Sequence, residues 1–160
     1  PWGRPDLALF KFVSAILEDR PIDIYNHGNM YRDFTYIDDL VEAIRLLIDV
    51  PPKGTIPEGT IEHGVTDSHT ESPVAPYRVI NIGNSTKVKL LDFIDTIEEA
   101  LDKKAIRKYL PMQMGDVPAT WADTTELEQL TGFKVGTDIQ NGISRFIDWY
   151  LEYYQVRVNV

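Results

Sequence analysis

The sequence predicts an α/β protein, a class indicated by the alternation of strand-like and helical segments, while length and composition indicate a single globular domain. Short segments rich in β-branched and aromatic residues, such as YRVINI at 77–82, alternate with longer segments whose apolar residues recur every three or four positions. A length of 160 residues allows one domain with a real core. The 43% hydrophobic and 26% charged residues are ordinary for a soluble globular protein. The strands are few and short, so they do not complete a doubly wound sheet.

The chain is expected to begin with a helix and a short strand. Asp6 is suited to cap this helix, and Pro21 is expected to end it. The apolar positions that follow the helical period are Leu9, Phe12, Val13, Ile16 and Leu17. Residues 22–25 are predicted to form the strand.

The stretch 26–39, NHGNMYRDFTYIDD, is the most informative part of the chain. A polar turn containing glycine delivers Arg32 to a β-prone segment at 34–37, predicted as a strand. A helix is predicted next, reaching about residue 50, with Asp38 or Asp39 as its cap and as a complement to its dipole. This order of turn, arginine, strand and helix can aim a fixed cation into a cleft.

The segment 53–76 is predicted to be a long, mobile surface loop. It follows the helix-stopping pair Pro51-Pro52 and is rich in Gly, Pro, Ser, Thr and Glu without any period. It contains His63 and His69, whereas His27 lies in the earlier turn. The spacings HxH and HxxxH are absent, so we interpret the histidines as solvated residues and predict no metal site.

The second half of the chain alternates strands, helices and turns. The predicted elements are a strand at 77–82, a turn at 83–85, a helix at 90–101, a strand at 107–110, a loop at 111–118, a short strand at 119–122, a short helix up to Gly132 and a helix at 138–154. Asp123 and Glu126 have the spacing of a capping box for the short helix, which Gly132 is expected to close. The stripe predicted to be buried on the last helix is Ile139, Ile143, Phe146, Trp149, Tyr150 and Tyr153.

Charge and composition exclude several classes of protein. A net charge of −9 argues against nucleic acid or an anionic membrane as a partner, but it leaves room for a small anionic ligand held by local cations. The chain has no cysteine, which excludes disulfides and thiolate metal sites. Without a secretory signal or an apolar run of about 18 residues, we expect a cytoplasmic location. The opening residues PWGRP look like the middle of a longer protein.

No complete catalytic set is present in the sequence. Neither a GxGxxG nor a GxxGxxG turn, a GxSxG elbow, a P-loop nor a Tyr-x-x-x-Lys pair occurs. The turn Gly83-Asn84-Ser85 is too short to cradle a pyrophosphate by itself. We therefore predict no catalytic residue, and chemistry run by this chain alone is not expected.

What remains is the capacity to hold a ligand. Arg32 is the best candidate for a phosphate clamp, because a guanidinium group pairs two oxygens at fixed geometry. A salt bridge from Arg32 to Asp33 or Asp39 is the alternative interpretation. Arg4, in a loop between Gly and Pro, suits either an anion contact or a surface position. Asp116 suits either ribose hydroxyls or an ordinary turn.

Five stretches, in order along the chain, resemble the extended short-chain dehydrogenase/reductase family. They are PWGRPDLALFKF from residue 1, RPIDIYNHGNMYRDFTYIDDLVEAI from residue 20, APYRVINIGNS from residue 75, LPMQMGDVPATWADTTEL from residue 110 and FIDWY from residue 146. The similarity is to NAD-dependent nucleotide-sugar epimerases, and in particular to the C-terminal half of the UDP-glucuronate 4-epimerases. The pairing of GRPD with ALFKF favours uronate epimerases over UDP-galactose epimerases and dTDP-glucose dehydratases.

The resemblance implies a role for each candidate residue. Arg32, in the RDF motif, would contact the diphosphate, and Asp116, in the GD motif, would bind the ribose. Arg4 would lie near the phosphates or the sugar. The residues implied to line the uracil pocket, partly through their backbone, are Leu9, Phe10, Lys11 and Tyr25. Relatives often carry an arginine three residues before the GD aspartate as a second clamp, and here that position is Gln113.

The resemblance also implies what this chain lacks. Residues 1–160 would be the C-terminal substrate-binding region, with an incomplete Rossmann sheet and without the family's glycine-rich NAD domain and Tyr-x-x-x-Lys pair. The intact enzyme would use NAD to oxidise the sugar transiently at C4, would act on UDP-glucuronate or UDP-galacturonate, and would be a homodimer. This half would hold the UDP. The alternatives are part of a nucleotide-sugar dehydratase or decarboxylase, or a stand-alone nucleotide-sugar binding module.

Overall fold

The computed structural model describes residues 5–52 and 76–156 and divides them between two compact units. The first unit contains 5–34, 86–121 and 137–156, and the second contains 35–52, 76–85 and 122–136. Arg4 and nearly all of the predicted 53–76 loop lie outside the described residues.

Helices and strands alternate as the sequence predicts. In chain order the elements are α1 (Ala8–Leu17), β1 (Pro21–Ile24), a 3-10 turn (Tyr25–Gly28), β2 (Tyr31–Arg32), α2 (Ile37–Ile48), β3 (Val88–Lys89), α3 (Leu90–Leu101), β4 (Ile106–Tyr109), α4 (Thr125–Thr131) and α5 (Ile139–Tyr153). The predicted α/β class is confirmed. The bounds of α3 match the prediction, and those of α5 and β4 agree within one residue.

The first unit is built on a parallel pair of strands, β1 and β4, in which Ile22 lies opposite Arg107 and Ile24 opposite Tyr109. Ile22 and Ile24 point into the core, while the residues between and before them are exposed, as a period of two requires. The other buried residues of this core come from α1, α3 and α5 and are Val13, Ala15, Ile16, Phe93, Ile94, Ile97, Leu101, Ile143, Ile147 and Tyr150.

Helix α5 is held by aromatic contacts around Phe10 of α1. The Phe10 ring lies edge-on to Tyr150, with 5.2 Å between centroids, and to Phe146 at 5.7 Å. Such edge-to-face pairs stabilise beyond the area they bury. The predicted stripe was wrong at Tyr153, which is exposed, and Ile147 is buried instead.

A second, antiparallel pair of strands positions Arg32. Arg32 lies opposite Val88 of β3, and Tyr31 lies opposite Lys89. On its other side Tyr31 makes a parallel bridge to Ala119, donating its N–H to the Pro118 carbonyl at 2.8 Å. The strand predicted at 34–37 was therefore wrong, because backbone pairing occurs at 31–32 and α2 begins at Ile37. The strand predicted at 119–122 is reduced to this single bridge.

The second unit packs α2 against α4 around a small core. Its buried apolar residues, within the described part of the chain, are Ala43, Leu127 and Val135. Ile80 and Ile82 pack against this core, whereas Val79 is exposed, so the predicted alternation over 77–82 is confirmed. A full strand is not formed there, because backbone pairing in this segment is limited to a single bridge at Arg78.

Two of the predicted helix caps were wrong in position. Helix α1 begins after Leu7 rather than Asp6, and no side chain caps it. Helix α2 has Tyr36 as its N-cap residue, and the pair Asp38-Asp39 lies in its first turn. The two carboxylates still complement the helix dipole there, as expected.

The later helix ends follow the sequence more closely. Asp138 caps α5 by accepting a hydrogen bond from the Asn141 N–H at 2.7 Å. Gly132 closes α4 with φ +69°, as predicted. Asp123 accepts from the N–H and the hydroxyl of Thr125 at 3.0 and 2.7 Å, which is a side-chain turn two residues on rather than the predicted capping box.

Candidate functional site

A left-handed turn closes the carboxyl ends of β1 and β4. Asn26, His27 and Gly28 have φ values of +50°, +51° and +82°. Residues that carry a side chain rarely adopt this left-handed backbone conformation. The His27 N–H donates to the Leu110 carbonyl at 3.0 Å, and the Leu110 N–H donates to the Ile24 carbonyl at 2.9 Å. These bonds fix the polar turn that precedes Arg32.

Gly28 is required in this turn for a second reason. A Cβ atom placed there would lie 2.6 Å from the Leu91 side chain, well inside van der Waals contact. Glycine therefore lets the turn pack directly on the first residues of α3.

Arg32 is joined to Asp116, the other residue singled out for ligand binding. Its Nη2 donates to Asp116 Oδ1 at 2.8 Å, and its Nη1 donates to its neighbour's carbonyl at Tyr31, also at 2.8 Å. Both side chains of the ion pair are 34% exposed. The salt bridge of Arg32 is thus to a residue 84 positions away, where the sequence had suggested Asp33 or Asp39.

Asp116 is held by the turn that carries it. Gly115 has φ +86°, and the Asp116 N–H donates to the Gln113 carbonyl at 3.3 Å. Its Oδ1 also accepts from the Val117 N–H at 2.9 Å. The hydrogen bonds that this carboxylate accepts within the described residues all fall on Oδ1, which leaves the lone pairs of Oδ2 available to a ligand.

Arg32 and Asp116 together offer donors and an acceptor side by side. A guanidinium group carries five N–H donors, and two of those of Arg32 are engaged by described residues, so three remain within that part of the chain. The arrangement suits a ligand in which anionic oxygens and hydroxyl groups are neighbours. Within the described residues, the pair has no nucleophile and base beside it.

The other predicted site residues lie apart from this pair or at its edge. Gln113 is exposed and contacts Asp116 through its backbone. Tyr25 opens the left-handed turn and is half-buried. On α1, Leu9 packs against the core, Phe10 lies among the aromatic residues of α5, and Lys11 is exposed. Among the described residues, no hydrogen bond joins these α1 residues to Arg32 or Asp116.

Lys87 and Trp121 form a contact that sequence reasoning missed. The Lys87 ammonium lies 3.3 Å from the centroid of the exposed Trp121 ring, a cation–π contact. Lys87 directly precedes β3, whose Val88 lies opposite Arg32, so a second cation is fixed near the same small sheet. Because these two residues are distant along the chain, periodicity and local motifs do not reveal the pair.

A buried carboxylate, Glu98, has a structural role elsewhere in the first unit. It accepts hydrogen bonds from Lys104 at 2.8 Å, from Arg107 at 2.7 Å and from the Ala105 N–H at 3.2 Å. Burial alone would raise the pKa of Glu98, but these hydrogen bonds outweigh it and the pKa lies below its ordinary value. Burial likewise opposes the charge on Arg107, yet its bonds to Asp95 and Glu98 raise its pKa.

The described residues show neither a metal site nor a membrane span. No group of three or more His, Asp or Glu side chains in 5–52 and 76–156 is placed to hold a metal ion. Among the helices described, none combines the length and the apolar character that crossing a bilayer needs.

Comparison with known proteins agrees with the motifs. The model of the NAD dependent epimerase/dehydratase family matches residues 2–61. Protein CapI of Staphylococcus aureus is 50% identical over 155 residues, a match that covers 97% of this chain and 45% of that protein. A probable UDP-glucuronate 4-epimerase of Rhizobium meliloti (strain 1021) is 51% identical, over 97% of this chain and 44% of the relative. The resemblance to the nucleotide-sugar epimerases is confirmed.

Solved structures of epimerases share the fold. The UDP-glucuronic acid 4-epimerase of Bacillus cereus in complex with NAD is 27% identical, with a TM-score of 0.70 over 97% of this chain and 41% of that one. The same enzyme in complex with UDP-glucuronic acid and NAD is 26% identical, with a TM-score of 0.73 over 96% of this chain and 42% of that one. The chain therefore spans less than half the length of the epimerases it matches. NAD, the expected cofactor of the intact enzyme, is present in both of those complexes.

Proposed function

We propose that this chain is the UDP-sugar-binding, C-terminal portion of an NAD-dependent nucleotide-sugar 4-epimerase of the UDP-glucuronate type. The observation that carries the proposal is the 2.8 Å contact between Arg32 and Asp116. The two residues were assigned separately, one to a diphosphate and one to a ribose. In a nucleoside diphosphate these two groups are covalent neighbours, so a site that binds both must place its cation beside its hydroxyl acceptor.

The contact also supports a specific way of holding the ligand. The remaining N–H groups of Arg32 would donate to diphosphate oxygens, and charge-assisted hydrogen bonds of this kind are among the strongest in proteins. Oδ2 of Asp116 would accept from a ribose hydroxyl. Because Oδ1 already fixes Arg32, the site is ordered before the ligand arrives, which reduces the entropic cost of binding.

The chemistry itself is assigned to another part of the enzyme. The described glycines do not form a glycine-rich strand-to-helix turn, and the space beside Gly28 is filled by Leu91 rather than open to a cofactor. NAD is therefore not expected to be held by these residues. The intact enzyme is proposed to be a homodimer in the cytoplasm, with UDP-glucuronate or UDP-galacturonate as substrate, and this portion keeps the UDP anchored while the sugar moves.

Two other functions remain as alternatives. A dTDP-glucose 4,6-dehydratase of Bacillus anthracis has a TM-score of 0.72 at 17% identity, which shows the fold alone, so the fold does not separate epimerase from dehydratase. The 51% identity to a probable uronate epimerase favours the epimerase. A stand-alone binding module predicts micromolar binding of UDP to the isolated chain, whereas the portion proposed here predicts no binding detectable by isothermal titration.

A chimaera tests the proposal directly. The upstream region of the Rhizobium meliloti relative is joined to this chain, which replaces the 44% of that protein that the chain matches. We expect the chimaera to interconvert UDP-glucuronate and UDP-galacturonate in the presence of NAD. A folded chimaera that binds NAD but neither binds nor epimerises these sugars would contradict the proposal. Formation of a 4-keto-6-deoxy product from dTDP-glucose would support the dehydratase instead.

A further inference from the structure

The turn that links β1 to β2 has an unfavourable backbone. Asn26 and His27 have left-handed φ values of +50° and +51°, and neither is a glycine. This conformation brings a Cβ atom close to the backbone, although asparagine adopts it more readily than most residues do. Two such residues in succession need interactions that hold them there.

The side chain of Asn26 supplies interactions of this kind. Its Nδ2 donates to the Asn29 carbonyl at 2.9 Å and to Sδ of Met30, a weaker acceptor, at 3.6 Å. The main chain closes the same turn, because the Asn29 N–H donates to the Asn26 carbonyl at 2.9 Å. Asn26 is therefore bonded to the chain ahead of it through both its backbone and its side-chain amide.

Met30 connects this turn to the rest of the first unit. Its side chain is buried, and its carbonyl accepts from the N–H of Leu90, the first residue of α3, at 2.8 Å. Gly28 of the turn packs on Leu91, so the turn contacts α3 at two successive residues. The start of β2 is thereby fixed against α3.

Tyr31 connects β2 to the segment that carries Asp116. Its N–H donates to the Pro118 carbonyl at 2.8 Å, and its carbonyl accepts from the Thr120 N–H at 3.2 Å. A shift of the turn would change the point at which Arg32 leaves β2 relative to this segment. The 2.8 Å contact between Arg32 and Asp116 would then be strained, because hydrogen bonds weaken steeply with distance and angle.

We propose that Asn26 is a positioning residue for the Arg32–Asp116 site, because its side-chain amide holds the turn that sets the place of Arg32. The inference rests on the proposed function, since it assumes that this pair binds a nucleoside diphosphate. Asn26 acts on the ligand through Arg32. An aspartate of the same shape does not replace it, because an ionised carboxylate accepts hydrogen bonds but donates none.

Isosteric substitution in the chimaera with the Rhizobium meliloti upstream region tests the proposal. Asn26→Asp removes the Nδ2 donor and keeps both the shape of the side chain and its tolerance of left-handed backbone. Asn29→Asp is the matched control, because it adds the same charge within the same turn and keeps the carbonyl that accepts the bond. Asn26→Gly is a second variant, which favours the left-handed backbone but has no amide.

Isothermal titration with UDP-glucuronate gives the Kd of each variant, and steady-state kinetics gives kcat and KM. We expect Asn26→Asp and Asn26→Gly to raise the Kd roughly threefold to tenfold, the scale of one net hydrogen bond. Asn29→Asp should leave the Kd within about twofold of the wild type. In both Asn26 variants KM should rise with the Kd, while kcat stays within about twofold.

Two results would overturn the proposal. Equal effects of Asn26→Asp and Asn29→Asp would show that the added charge, rather than the lost donor, weakens binding. A folded Asn26→Gly variant that binds as tightly as the wild type would show that the amide is dispensable, and this variant decides the question if Asn26→Asp does not fold.

A double variant separates positioning from a general loss of stability. If Asn26 acts through Arg32, then Asn26→Asp should change the Kd by less than about twofold once Arg32 is alanine. A loss that persists in full in the Arg32→Ala background would also overturn the proposal, because the effect would then reach the ligand by another route.

The same measurements separate this inference from the proposed function. A folded wild-type chimaera that does not bind UDP-glucuronate, or an Arg32→Ala variant that binds as the wild type does, would contradict the proposed function. A chimaera that binds and is weakened by Arg32→Ala but not by Asn26→Asp or Asn26→Gly would contradict the inference alone.

Discussion

Replacing Arg32 by alanine in the chimaera is the sharpest test of the ligand site. The three N–H donors not engaged by Asp116 or Tyr31 are the ones that a diphosphate would use. Loss of hydrogen bonds to a charged group costs about 1.5–3 kcal/mol. At about 1.4 kcal/mol for each tenfold change, the Kd of UDP-glucuronate should rise roughly 10- to 150-fold.

The role of Asp116 is tested by a double-mutant cycle. Removing Asp116 also releases Arg32 from the 2.8 Å contact, so Asp116→Ala should weaken the binding of pyrophosphate, which has no ribose. The double variant should therefore lose less binding free energy than the two single variants lose in sum, by about 0.5–3 kcal/mol, as is usual for residues in contact. Asp116→Asn keeps the acceptor but loses the charge, and it should lie between the wild type and Asp116→Ala.

Isothermal titration of the chimaera with UDP-glucuronate, UDP and pyrophosphate provides the measurement. Arg20→Ala is the matched control, because Arg20 also donates to a carboxylate at 2.8 Å, that of Glu18, but precedes β1 at its opposite end. An unchanged affinity in Arg32→Ala would refute the clamp assignment. Additive effects in the cycle would show that Arg32 and Asp116 act independently.

Further predictions concern stability. Gly28→Ala should lower the free energy of unfolding by about 2–3 kcal/mol, because strain at φ +82° adds to a clash with Leu91. Gly115→Ala is the matched control, since Gly115 has a similar φ of +86° but nothing within 4 Å of the added Cβ. It should lower the free energy of unfolding by only about 1 kcal/mol. Equal losses in urea unfolding would contradict the steric argument, and Leu91→Ala should partly restore the Gly28→Ala variant. Glu98→Ala should lower the free energy of unfolding by about 3 kcal/mol, because it breaks a buried ion pair with Arg107. The matched change at its exposed neighbour, Glu99→Ala, should alter that free energy by less than about 0.5 kcal/mol. Since the pKa of Glu98 is lowered on folding, its contribution should be full above its ordinary value of 4.5 and should fade as the pH falls below it. A stability difference between wild type and Glu98→Ala that stays constant from pH 6 to pH 3 would refute the assignment.

The helices were predictable because their signals are local. The apolar spacing of α3 agrees with the face that is buried, and that of α5 does so except at Tyr153 and Ile147. Asp138 caps the start of α5 and Gly132 closes the end of α4, as their residue types predict. The strands were less predictable, because pairing is not local. The residues 34–37 have high β-propensity, but the partners that form ladders, β3 and Ala119, lie opposite Tyr31 and Arg32 instead.

The site was predictable residue by residue but not as an arrangement. Arg32 and Asp116 were identified from their motifs, yet their contact spans 84 positions and depends on the bridge between Tyr31 and Ala119. The Lys87–Trp121 contact had no local signal at all. The long-range pairing of small strands is the information that a single sequence does not display.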